Sequence, residues 1–275
     1  MTATTAPTLD ISATPRVPFS RLIRVEARKM TDTRAGFWLL LVTGLLLVAT
    51  AVIALLVVLL NDFNPGFATW ATQFMVIPLS LLLPVFAITT VTSEWGQRTS
   101  LVTFALEPHR SRVLLAKFVT VMLLAVTTIA LALVLAAGGV LLQGALGEGS
   151  PSWEIETGPL FWTLMNQLLY FMMAFGFGLV LLNSAAAVVI YYVVALLLPL
   201  MVWGPVYGLL SWGPDVIPWI DMGFAIAPLT TPEMPRPDEI YAQVAVSALI
   251  WVVFTGLLAL VAGFPASPFN YRERR

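Results

Sequence analysis

Several runs of 20 or more residues in this chain hold no charged side chain, and that feature restricts it to very few folds. The hydrocarbon core of a bilayer is about 30 Å thick and takes about 20 helical residues to cross. Backbone N–H and C=O groups find no water there, so each must be bonded within the protein, and a helix does this within one segment. Composition agrees: 59% of the 275 residues are hydrophobic and 11% are charged, against roughly 25% charged in a soluble domain. The alternation expected of barrel strands is absent. The chain reads as an all-α membrane protein.

Six stretches qualify as spans: Trp38–Leu60, Trp70–Thr92, Phe118–Leu142, Leu160–Leu182, Ala185–Leu210 and Ala242–Phe264. Only Asn183 and Ser184 separate the fourth from the fifth. Together they are about twice a crossing, so a tight helical hairpin is expected. Pro199 and Pro205 are placed to kink or break the fifth span. Its outer end either crosses fully or turns back.

Basic residues set the expected orientation. Arg16, Arg21, Arg24, Arg28, Lys29 and Arg34 precede span one. Arg98, Arg110, Arg112 and Lys117 lie between spans two and three, and Arg272, Arg274 and Arg275 follow span six. A six-span arrangement leaves only Arg236 of the 14 basic residues on the far side. Both termini are therefore expected in the cytoplasm, with multi-pass insertion in the cell membrane. Nine of the 15 acidic residues fall outside, Asp215 and Asp221 among them, where they are expected to solvate a Pro-rich loop over about Ser211–Tyr241. The net charge of −1 points to no nucleic-acid partner.

Three regions follow along the chain. Residues 1–18, rich in Thr, Ala and Pro without an apolar core, are expected to form a disordered cytoplasmic tail rather than a signal peptide. Residues 19–264 are the membrane domain, and residues 265–275 form a basic cytoplasmic tail.

Several kinds of chemistry are disfavoured. His109 is the only histidine and there is no cysteine, so no zinc site, histidine-based triad or other catalytic or metal-ligating set is expected. No P-loop occurs. The six stretches contain no Asp, Glu, Lys, Arg or His, whereas ion-coupled pumps commonly place ionisable groups there. A sodium-coupled transporter that uses backbone carbonyls stays open; otherwise, by elimination, energy for any uphill transport is expected to enter from a partner at the cytoplasmic face.

Two cytoplasmic segments offer such a contact. In Phe19–Arg34, the residues Phe19, Leu22, Ile23, Ala27 and Met30 share one helical face, and Arg21, Arg24 and Arg28 share the opposite one. That is the pattern of an amphipathic helix lying in the interface, although Glu26 interrupts the apolar face and flanking cations alone would give a similar sequence. In the loop Ser93–Lys117, Leu101, Phe104 and Ala105 are spaced for a short helix that Pro108 stops, with Ser111 as N-cap of the run into span three. Such a helix suits docking on another protein or anchoring at lipid headgroups.

The loop resembles the cytoplasmic loop of ABC-2 type permeases, the membrane subunits of one class of ABC transporters. The corresponding residues are Glu94, Gly96, Thr99, Leu101 to Leu106 with Phe104 inside the run, Pro108, Arg112 and Lys117. Two departures stand out: Gln97 and Arg98 separate Gly96 from Thr99, and His109-Arg110 lengthen the step from Pro108 to Arg112. The resemblance implies six transmembrane helices, an N-terminal interfacial elbow helix (Phe19, Arg21, Leu22, Ile23, Arg24, Arg28, Met30) and a coupling helix between helices 2 and 3. It also implies two separate ATP-binding cassette subunits carrying the ATP and Mg, a second permease subunit in a homodimer or heterodimer, and export as the direction of transport. The chain itself is expected to be no enzyme and to hold no cofactor. The alternatives are a membrane scaffold anchoring a cytoplasmic partner and a gradient-driven secondary transporter.

Within the spans, Gln73, Asn166 and Gln167 are candidates for lining a path or for interhelical hydrogen bonds. Ala174 and Gly178 form a small-xxx-small pair suited to close helix packing. Trp38, Trp70, Trp162, Trp203, Trp212 and Trp219 are expected as interfacial anchors.

Overall fold

The computed structural model describes residues 17–61, 66–67, 70–96, 110–146, 153, 157–231 and 234–263, without the side chains of 72–73, 94–96, 110, 255 and 257–263. Every regular element among them is helical. A short helix α1 (Phe19–Asp32) precedes α2 (Arg34–Leu60), α3 (Val76–Gly96), α4 (Arg110–Leu146) and α5 (Thr157–Leu181). Then come α6 (Ser184–Leu209), the short pair α7 (Gly213–Ile220) and α8 (Met222–Thr230), and finally α9 (Ile240–Gly263).

Five of these helices, α2 to α6, are long and apolar enough to cross a membrane. The chain is thus a multi-pass helical protein. A sixth apolar helix, α9, is 24 residues long. At 37 residues, α4 is the longest, about 55 Å, so it extends past a bilayer's hydrocarbon core.

The five crossing helices match the expected spans to within a few residues at most ends, and the α5–α6 hairpin is as tight as its arithmetic required. Leu182 takes a left-handed φ of 50°, and the Asn183 side chain accepts from the Ala186 N–H at 3.1 Å, capping α6. Thr92 near the end of α3 meets Ser184 at this turn, 2.6 Å between hydroxyls. Ser111 is not an N-cap, because α4 begins one residue earlier at Arg110.

Helices α3 and α5 form the centre. Gly178 lets the backbones approach: a Cβ there would lie 3.2 Å from the Ile88 Cα and carbonyl oxygen. Small residues serve this purpose where helices associate without water to expel. Ala174, one turn earlier on α5, is fully buried and belongs to the bundle core. By contrast α2 and α6 keep most of their apolar surface outward, as lipid-facing helices do.

Pro199 and Pro205 do not break α6. Proline lacks an N–H and its ring crowds the carbonyl four residues back, and the helix widens instead into two π turns, Val193–Leu197 and Pro199–Trp203. The Leu198 N–H reaches the Val193 carbonyl, and the Gly204 N–H reaches that of Pro199, both five residues back. The widened turns keep the backbone bonded, which lipid demands.

The segment after α6 departs from expectation. Instead of a solvated outer loop, α7 and α8 form a helical hairpin packed against α5 and α9. Ala225, Ile226 and Leu229 of α8 form a buried cluster with Ile240 and Val244 of α9. The Trp251 indole N–H donates to the Ile220 carbonyl at the hairpin turn, 3.0 Å. Trp251 lies eleven residues past the start of α9, roughly 16 Å along its axis. The turn therefore lies level with the middle of α9.

Candidate functional site

At the end of the bundle carrying Arg34, Arg112 and Lys117, α1 is bonded to the first turns of α4. Glu26, only 4% exposed, receives Lys117 Nζ on one carboxylate oxygen at 2.7 Å and Lys29 Nζ on the other at 2.6 Å. Lys117 is itself 6% exposed. Arg112 donates to the Val17 carbonyl at 2.7 Å, and the Thr120 hydroxyl reaches the Ile23 carbonyl at 3.4 Å. The inward face of α1 is thus Phe19, Leu22, Ile23, Glu26 and Met30, while Ala27 is exposed. Glu26 does not spoil that face. It is the residue through which α1 grips α4, and Arg21, Arg24 and Arg28 point away from it into solvent.

This junction adjoins the loop singled out in the sequence. Of its residues, Arg112 and Lys117 are described: Lys117 engages Glu26 of α1, and Arg112 the Val17 carbonyl just ahead of that helix. Glu94 and Gly96 end α3, their side chains outside the described residues. Thr99, Leu101, Phe104, Leu106 and Pro108, with the expected short helix, also lie outside them, as does the side chain of Gln73.

Halfway along α5, Gln167 is buried and the buried Asn166 Oδ1 has no hydrogen-bond partner among the described residues. Native interiors satisfy nearly all such atoms, so Asn166 is the exception among the described side chains. Gly178 lies about three turns further on, against α3 of the same chain.

Asp221 occupies the α7–α8 turn and is 5% exposed. It does not solvate a loop. Its Oδ1 accepts from the Phe224 N–H at 3.1 Å, capping α8, while its own N–H donates to Ile217 and its carbonyl accepts from Ala225. A Cβ on Gly223 would lie 3.0 Å from the Tyr170 hydroxyl of α5 and 3.1 Å from that carboxylate oxygen, so tyrosine and acid converge on one glycine. Burial pushes the Asp221 carboxyl above its ordinary range, opposed by the backbone N–H groups of Phe224 and Gly223. An acid with a raised folded-state pKa contributes most below its unfolded pKa and loses that stability as pH rises through the folded value. Asp221→Asn keeps the cap without a charge to bury. Its thermal midpoint in detergent is therefore expected to gain on the wild type as pH rises from acid to neutral, whereas Asp221→Ala loses about 1 kcal/mol of capping.

Sequence reasoning missed Asp221, although an Asp just before the apolar run MGFAIAPL is an N-cap signal. Trp70 is also not an interfacial anchor. It is fully buried, with its indole N–H on the Gln143 side-chain oxygen at 3.1 Å. Trp38 and Trp212 are about half exposed or more, as anchors are. No group of potential metal ligands occurs among the described residues. Searches against family models, curated proteins and solved structures find no match.

Proposed function

We propose that this chain is the membrane-spanning subunit of an ATP-driven transporter of the ABC-2 type, with six spans, both termini in the cytoplasm of a cell-membrane protein, and export as its direction. In this reading α9 is the sixth span and α1 the elbow helix. Two separate ATP-binding subunits hold the ATP and Mg, and a second permease subunit completes the path. The observation that supports it most is the loop before α4: its pattern from Glu94 to Lys117 resembles that family's coupling loop, and its last two matching residues bond to α1 and to the residue Val17 just ahead of it. A push on the loop would then move α1 and α4 together. Asp221, buried in the α7–α8 turn, has its Oδ1 occupied in capping α8.

The full chain should copurify with an ATP-binding subunit, and transport in proteoliposomes should require nucleotide. Replacing Glu94 or Arg112 should uncouple ATP hydrolysis from transport without preventing insertion. Transport by the chain alone on an ion gradient would refute the proposal, and normal coupling in both variants would remove the loop assignment.

A further inference from the structure

We propose that the outward face of α1 is a binding site for the phosphate headgroups of anionic membrane lipids. Arg21, Arg24 and Arg28 succeed one another at intervals of three and four residues, which puts them on one side of the helix. With Pro18, Ser20 and Val25 they line an open groove of about 440 Å³. Among the described residues no carboxylate pairs with any of the three, since the buried acid of α1, Glu26, faces α4 and is engaged by Lys29 and Lys117. Their charge is left for something else.

Four features select a lipid. The bonds of Val17, Ile23 and Glu26 to α4 prevent the helix from rolling, so the arginine stripe has a fixed direction. The stripe is also at the right level, because α1 ends at Asp32 and the apolar crossing helix α2 begins at Arg34. Guanidinium forks match phosphate oxygens in a bidentate manner. Val25, 45% exposed within the same groove, offers an apolar contact that an amphiphile uses and a free anion does not. The site rests on the chain spanning a membrane and is independent of the proposed transport.

The test titrates the detergent-purified full-length protein with phosphatidylglycerol and, in parallel, phosphatidylcholine, reading bound lipid by native mass spectrometry. Phosphatidylglycerol should bind preferentially. Replacing Arg21, Arg24 and Arg28 together by Gln should weaken it about tenfold or more, whereas the same replacement of Arg272, Arg274 and Arg275 should leave it unchanged. Should the triple variant fail to fold, Arg24→Gln alone should still weaken binding measurably. Equal loss in both triple variants, equal binding of the two lipids, or full competition by inorganic phosphate would overturn the proposal, the last by making the site one for a soluble anion.

Discussion

Replacing Glu26 by Ala should destabilise the protein by about 3–5 kcal/mol, the usual cost of removing one partner from a buried ion pair. The variant withdraws the carboxylate from Lys117, which is 6% exposed and has little access to water. Lys29, with a side chain 40% exposed, can rehydrate and adds little. Thermal unfolding of the detergent-purified protein should show the loss as a fall of roughly 10 °C in midpoint. The double variant Glu26→Leu with Lys117→Met removes both charges and should recover most of it, since apolar replacement of a whole buried pair is often neutral or better. If Glu26→Ala melts like the wild type, the pair contributes nothing to holding α1 on α4.

Gly139→Ala should cost about 1–3.5 kcal/mol, net of the helix propensity that any alanine gains over glycine there, and Gly138→Ala next to it should cost nothing. A Cβ at Gly139 would fall 2.6 Å from two ring carbons of Trp70. That ring is fully buried, and moving it stretches its N–H bond to Gln143. Overpacking of about 1–3 kcal/mol then adds to about 1 kcal/mol for the hydrogen bond. A Cβ at Gly138 meets nothing within 4 Å, so there the alanine gains about 0.5–1 kcal/mol of helix propensity. Opposite signs at adjacent residues in the same unfolding assay check the placement of Trp70. Equal effects would contradict it.

The crossing helices were legible because each is a charge-free run longer than a bilayer requires, and nothing else folds that way. The α5–α6 hairpin was legible from length alone. The α7–α8 hairpin was not, because its helices have 8 and 9 residues and contain prolines, which in sequence look like a loop. Burial against α5 and α9, not intrinsic propensity, makes them helical. Glu26 was misjudged for a related reason. A helical wheel shows one helix, and the lysine that makes an acid acceptable on the inner face stands 91 positions away. Trp70 sits where interfacial tryptophans sit in sequence, but its indole turns inward to a glutamine 73 positions away.

The short hairpin also changes how crowded the bundle is along its length. Each helix with its side chains is about 10 Å across, so α7 and α8 together add on the order of 150 Å² of cross-section beside the first half of α9, up to the level of Trp251. At the other end the added bulk is α1, which lies along the first turns of α4. Were the crossing helices set in a bilayer, its two halves would therefore meet differently shaped ends of the same bundle.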